Sequence, residues 1–272
     1  MALTESQIQE IADRFASILI AHASHGIATS SLKEMGEITL RDGLIVAAAA
    51  AGSSQKQAWI FGREKLPDGW TDSAVDLTIY RIRKSVGSNV ENNEADNEEY
   101  NTVGAVELKW WRQTDRSNAS NRRRDLVKDF IRAAANYQNT ESFSFVALLS
   151  TEVSWNATIN TTAADKDVMP FILNQGTQKW NIRKLAKITC IKSAVRALGH
   201  RVPIPTAFHT KLLSTIDLNL ASGRTASARV WRVVKPQRTT IMDMNELQNQ
   251  FAIPPLKEQE NNQLVQYINS TQ

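Results

Sequence analysis

The sequence predicts an α/β fold, a mixed sheet flanked by helices. Three observations carry that expectation. Apolar residues recur at helical spacing near the N-terminus and again over 122–138; two alternating segments, 73–83 and 103–111, bracket a long polar stretch; and a short apolar run, Phe143 to Ser150, follows the second helix. Taken in order, helix, strand, strand, helix and strand make a mixed sheet with helices packed on it.

Thr4-Glu5-Ser6-Gln7 has the spacing of a capping box, and Ile8, Ile11, Phe15, Ile18 and Leu19 then follow on one face, predicting a helix that ends near His22. Glu34 to Ala51 reads as a second, mostly buried helix, weakened by Gly36 and Gly43. Pro67-Asp68-Gly69 is a turn signal. In the strand from Ser73 to Arg83, Val75, Leu77 and Ile79 oppose Asp76, Thr78 and Tyr80. Residues 84–101 are rich in Gly, Ser, Asn and Glu and read as a solvated hairpin loop leading into the strand Val103 to Trp111. Arg122 to Gln138 is the next helix, and Phe143 to Ser150 has the length of a buried strand. Beyond it the pattern suggests a short helix around Pro170, a strong helix from Trp180 to Leu198, a strand from Ala228 to Val234 and a terminal helix opened by Asp243. The expected organisation is a core with its N-terminal helix over 1–150 and a mostly helical, basic extension over 151–272, packed on the core for DNA binding or dimerisation.

Composition narrows the function classes. A single cysteine, Cys190, rules out a disulfide framework or a zinc site of several thiolates. The acidic start MALTESQIQE does not resemble a secretory signal, and the longest apolar run, Leu44 to Ala51, is too short to span a membrane, so a cytoplasmic protein with no membrane partner is expected. No P-loop or dinucleotide glycine fingerprint occurs. The net charge is only +4, but it is segregated: between Gln178 and Arg238 thirteen Lys or Arg accompany one acid, whereas Glu91 to Glu99 holds five acids and no base. Such segregation points to a polyanionic partner, most often nucleic acid or an anionic membrane surface.

One constellation carries chemistry. Asp76 falls on the first strand and Glu107-Leu108-Lys109 on the second; alternation puts Glu107 and Lys109 on one face, where Asp76 of a hairpin neighbour can approach them. Two carboxylates suit Mg²⁺, which is commonly held by one or two of them and keeps several waters. A cation so held polarises a phosphoryl oxygen and generates a hydroxide nucleophile, while an ammonium orients the attacking water.

On these residues, over roughly Ser31 to Ser150, the chain resembles the PD-(D/E)XK nuclease superfamily, the restriction-endonuclease-like fold. Val75-Asp76 stands at the family's Pro-Asp, with valine for proline, and Glu107-Leu108-Lys109 at its (D/E)XK; the acidic loop stretches the spacing between them. The resemblance implies that Asp76, Glu107 and the main-chain carbonyl of Leu108 hold Mg²⁺, with Mn²⁺ able to substitute, and that Lys109 serves the attacking water. A further glutamate from the preceding helix is best matched by Glu37, with Glu34 as runner-up. Arg112, Arg116, Arg122, Arg123 and Arg124 are expected to line the same mouth and contact DNA phosphates, with Lys184 and Lys187 as a second contact surface. Trp110 and Trp111 divide between base stacking and core packing. The expected function is a Mg²⁺-dependent DNA endonuclease, a hydrolase of restriction or anti-phage defence type acting as a homodimer. The alternatives are a non-catalytic DNA-binding protein of the same fold, or a repair or recombination nuclease for single strands or RNA.

Overall fold

The computed structural model describes residues 3–32, 34–54, 58–67, 70–71, 73–83, 99–112, 118–137, 142–160, 166–220 and 223–255. Two helices open the chain, α1 (Glu5–Ala28) and α2 (Glu37–Ser54), followed by three strands, β1 (Trp59–Lys65), β2 (Val75–Arg83) and β3 (Glu99–Trp111). Helix α3 (Ala119–Ala135) leads to β4 (Phe143–Thr151). The second half adds α4 (Glu152–Ile159), a 3-10 turn (Lys166–Val168), α5 (Met169–Leu173), β5 (Gln178–Asn181), α6 (Ile182–Leu185), α7 (Thr189–Leu198), β6 (Ala207–Leu220), β7 (Gly223–Val234) and α8 (Met244–Phe251).

The strands form one mixed sheet in the order β1-β2-β3-β4-β7-β6-β5. Only β3 and β4 pair in parallel, with α3 as the crossover between them; the other pairings are antiparallel. Helices α1 and α2 cover one face through Phe15, Leu19, Leu40 and Leu44, packed on Leu77, Val106, Leu108 and Phe145. The other face is covered by α3 and α7 through Leu126, Phe130, Ile191 and Val195, packed on Val146, Leu148 and Trp231. Strand β4, central and covered on both faces, is buried at every residue, which is why it reads as an unbroken apolar run.

The short helix around Pro170 and the terminal helix are present as α5 and α8, and the single helix expected over Trp180 to Leu198 is split into β5, α6 and α7, but this half is not an appendage to the sheet. It supplies β5, β6 and β7, and β7 pairs directly with β4. The expected division at residue 150 therefore runs through the middle of one sheet. Trp180, expected to open a helix, lies in β5 and is buried between Phe208, Phe130 and Phe171.

Helix α1 begins with the expected capping box: the Gln7 N–H donates to Thr4 Oγ1 at 3.3 Å, and the Thr4 N–H donates to Gln7 Oε1 at 2.8 Å. It runs past His22 because tertiary contacts hold its last turns. A Cβ at Gly43 would lie 2.4 Å from His22 Nε2, so the two helices touch where α2 lacks a side chain.

A bulge in β3 decides what faces α3. Along β2 the register passes from Ile79↔Gly104 to Tyr80↔Thr102, leaving Val103 as an extra residue. Val103 therefore joins Val106, Leu108 and Trp110 on the α1/α2 face. Tyr100 and Thr102 consequently share the α3 side with Ala105, Glu107 and Lys109, although the parity of their numbers differs. Gly104, beside the bulge, packs against the Phe143 ring, and a Cβ there would sit 2.3 Å from it. That ring is wedged between Trp59 and Phe145. Gly104→Ala is thus expected to cost about 1–3 kcal/mol in denaturant unfolding.

Candidate active site

Asp76, Glu107 and Lys109 come together where β2 and β3 part. The β2–β3 ladder ends at Leu77↔Val106, and one residue further the Asp76 carboxylate takes the place of a strand partner: the Leu108 N–H donates to Asp76 Oδ2 at 2.8 Å. The opening of the ladder thereby ties Asp76 to the Glu107-Leu108-Lys109 segment. Its other oxygen, Oδ1, lies 3.7 Å from Arg41 of α2, and Arg41 also holds Glu64 of β1 at 2.9 Å. Glu64 has a left-handed backbone (φ 48°) although it is not glycine, a strained conformation at the position that meets Arg41.

Glu37 also reaches this place. It is the first residue of α2, and its Oε1 accepts the Trp110 N–H at 3.2 Å, while the Trp110 indole donates to the Met35 carbonyl at 3.0 Å. Glu34 is exposed in the turn before α2. The four candidate catalytic residues therefore act on one stretch of β3, and Asp76, Glu37 and Glu107 all bear electrostatically on Lys109.

Helix α3 contributes two residues that sequence reasoning missed. Asp129 Oδ2 lies 3.5 Å from Lys109 Nζ, and Arg132 Nη2 lies 3.1 Å from Glu107 Oε2. Arg132 also donates to the Ala74 carbonyl just ahead of β2 and sits 3.9 Å from Asp129. Their three-residue spacing puts both on the turn of α3 above the carboxylates. The signal available in the sequence was an acid and a base on the apolar side of an amphipathic helix, beside Phe130 and Ala133.

The electrostatics follow from burial. Glu107 and Asp129 are each only 1% exposed. Burial pushes the Glu107 carboxyl well above its ordinary value, Arg132 draws it back, and Asp76 and Asp129 add to the rise. Burial likewise pushes Asp129 up to about 6 against the pull of Lys109 and Arg132. Lys109 is raised, chiefly by Asp129, although burial opposes its charge. Among the described residues both Glu107 oxygens and Asp129 Oδ2 lack a hydrogen-bond partner, since Arg132 approaches Glu107 without hydrogen-bond alignment. Five carboxylates (Glu37, Glu64, Asp76, Glu107, Asp129) thus meet three cationic side chains (Arg41, Lys109, Arg132), so acidic groups outnumber basic ones.

This donor set fits a hard cation. Glu107 presents two buried oxygens without hydrogen-bond partners among the described residues, and Asp76 lies close enough to raise its pKa. The Leu108 carbonyl, 3.3 Å from Lys109 Nζ, adds a neutral oxygen. Among the described residues no three His, Cys, Asp or Glu side chains form a metal cage.

The expected phosphate-contact residues fare unevenly. Arg122 and Arg123 are buried, each 6% exposed, and bind Thr158 through its hydroxyl (2.8 Å) and carbonyl (2.9 Å) respectively. They join α3 to α4 and do not line a mouth. Alanine at either is expected to cost about 1–3 kcal/mol in unfolding without changing the salt dependence of DNA binding. Arg124 is partly exposed and pairs with Asp125, and Arg112 is exposed just after β3. Lys184 and Lys187 are exposed on and after α6, which packs on β5 at the opposite edge of the sheet from β1 and β2. Arg116 and the acidic stretch 84–98 lie outside the described residues. Both tryptophans are core: Trp110 packs on the α1/α2 face, and Trp111 stacks on Trp155 with centroids 6.1 Å apart.

A cavity of about 250 Å³ beside Val153, Asn156, Ala157 and Asn160 contains none of these charged groups. Among the described residues no helix is long and apolar enough to cross a membrane. No protein-family model, curated protein or solved structure matches the chain.

Proposed function

We propose that this chain is a Mg²⁺-dependent nuclease of the restriction-endonuclease-like type, hydrolysing phosphodiester bonds in DNA. The observation that carries the reading is the convergence of Asp76, Glu107, the Leu108 carbonyl and Lys109 at the parting of β2 and β3, with Glu37 of α2 beside them. The mixed sheet between two helical layers is consistent with the arrangement the resemblance implies.

Asp76, Glu107 and the Leu108 carbonyl would hold the cation, and when bound it supplies a Lewis acid for the phosphoryl oxygen and an acidified water. Lys109 extends its ammonium to the same edge, where it orients the attacking water and offsets charge gathering on the phosphate. Asp129 holds Lys109 in place, and Arg132 keeps Glu107 against the start of β2. Glu37 fixes the β3 backbone just past Lys109. The surplus of acidic groups is what a divalent cation would offset before a phosphate could approach.

A second reading rests on the Glu107–Arg132 contact, because a buried ion pair also serves a protein that only binds DNA. Metal removal separates the two. Supercoiled plasmid incubated with the purified chain is expected to be nicked in Mg²⁺ or Mn²⁺, left intact in EDTA, and nicked again when Mg²⁺ is restored. Binding that survives EDTA with no cleavage under any cation would leave only the second reading.

A further inference from the structure

A cavity of about 220 Å³ opens on the α3 side of the sheet, a short way along β2 from Asp76. It is lined by Lys65 and the Leu66-Pro67 turn, by Thr78 and Tyr80 of β2, by Tyr100 and Thr102 of β3, and by Asn136 at the end of α3. Thr78 lies two residues from Asp76 on the same face, about 7 Å along the strand. Asn136 lies one helical turn beyond Arg132, so the helix that closes the carboxylate cluster also closes this cavity.

Three features fit a nucleobase. The walls are aromatic: the Tyr80 and Tyr100 rings stand edge to face, 6.5 Å apart, and Tyr100 is 52% exposed. The lining is polar and unmatched: among the described residues nothing hydrogen-bonds to Thr78 Oγ1 or Asn136 Nδ2, which are buried on residues 5% and 7% exposed, and both residues line the cavity. A buried polar group left unmatched costs about 1–3 kcal/mol, so two of them in one small cavity mark a place where a ligand's own polar edge is needed. A hydroxyl and an amide NH₂ together offer donors and an acceptor, the pattern a base edge meets. The mouth is also cationic through Lys65. Gly62 makes the approach possible, since a Cβ there would lie 2.7 Å from Lys65 Cγ and 3.0 Å from the Tyr80 ring. The volume is below the roughly 300 Å³ of pockets for larger ligands, which restricts the occupant to a single ring system.

We propose that this cavity receives one unpaired nucleobase of the nucleic acid whose backbone lies at Asp76 and Glu107. The proposal rests on the nuclease reading and sharpens it: a base held in the cavity is not paired, so the substrate is a single strand or a splayed end. A site of this kind acts on one strand at a time, and a second copy of the chain is not needed to complete it.

The test separates base binding from cleavage. The whole chain in EDTA is titrated by fluorescence anisotropy with a short labelled oligothymidine, with its duplex, and with a strand of abasic residues that keeps the phosphates. Tyr100→Ala and Tyr80→Ala are expected to weaken oligothymidine binding at least about 5-fold and to leave duplex and abasic binding unchanged. Thr78→Val, which keeps the shape, is expected to act in the same direction, and thermal melts confirm that each variant is folded. Equal affinity of the wild type for the normal and abasic strands, no measurable oligothymidine binding, or equal losses on all three ligands in folded variants would overturn the proposal. If the wild type cuts no nucleic acid in Mg²⁺ yet shows the tyrosine-dependent preference, the nuclease reading falls and the base cavity stands. If it cuts and the preference is absent, the reverse holds.

Discussion

Asp76→Asn is expected to reduce Mg²⁺-dependent cleavage by about three powers of ten or more while leaving the fold unchanged. On the proposed reading the substitution removes one of the two charged groups that would hold the divalent cation, an effect of several kcal/mol on the barrier. The fold survives because asparagine keeps an oxygen to accept the Leu108 N–H, and because Asp76 stands at an opening with 17% of its side chain exposed. Cleavage rates on plasmid and a thermal melt check both halves. A wild-type rate would remove Asp76 from the metal site. Glu107→Gln should abolish cleavage equally, but it will not be structurally silent. From the sequence alone the two acids appear interchangeable, whereas Glu107 is buried against Arg132 and its charge compensates a buried guanidinium.

Arg132→Ala should produce the largest loss of stability, about 3–5 kcal/mol. Arg132 reaches Glu107, Asp129 and the Ala74 carbonyl from a position where only 13% of its side chain is exposed. Deleting it leaves buried carboxylates with less compensation and releases the residue that leads into β2. Arg132→Lys keeps the charge but cannot span three partners with a planar fork, so it should recover only part of the loss. Urea unfolding of the three proteins measures this directly. A difference below about 1 kcal/mol for the alanine variant would show that the network contributes little to folding.

The alternation around Asp76 and the triplet Glu107-Leu108-Lys109 were legible because the neighbouring positions on the opposite faces, Val75, Leu77 and Ile79 on β2 and Val106, Leu108 and Trp110 on β3, are apolar. The capping box of α1 and the buried run of β4 were legible for similarly local reasons. Strand β1 was not: its second half, Arg63-Glu64-Lys65, is charged, Gly62 interrupts it, and it forms an edge with only one face packed. Strand β6 was hidden for another reason: Thr215 to Leu220 alternates polar and apolar, but the first half of the strand buries the polar Thr210 and Ser214, and register shifts at Leu212/Ser214 and Leu218/Asn219 break the period. Arg122 and Arg123 misled for a different reason. A basic triplet at a helix start suggests a solvated face, and only the position of Thr158 on α4, remote in sequence, shows that two of the three point inward. Asp129 and Arg132 escaped notice because charged residues beside apolar ones on a helix resemble the edge of an amphipathic stripe until the partner strand is known.

The extra residue at Val103 gives β3 a parity. Upstream of it even-numbered residues look toward α3, and downstream odd-numbered ones do. Removing that single residue would restore a regular ladder with the same partners on β2, and Tyr100, Thr102, Glu107 and Lys109 would all keep looking toward α3. Removing two would leave one residue too few to span those partners, so one half of the strand would have to slide along β2 or turn over. The strand therefore carries one residue in reserve: a chain that lost it would keep both its aromatic cavity and its carboxylates, and a chain that lost one more would have to give up their alignment.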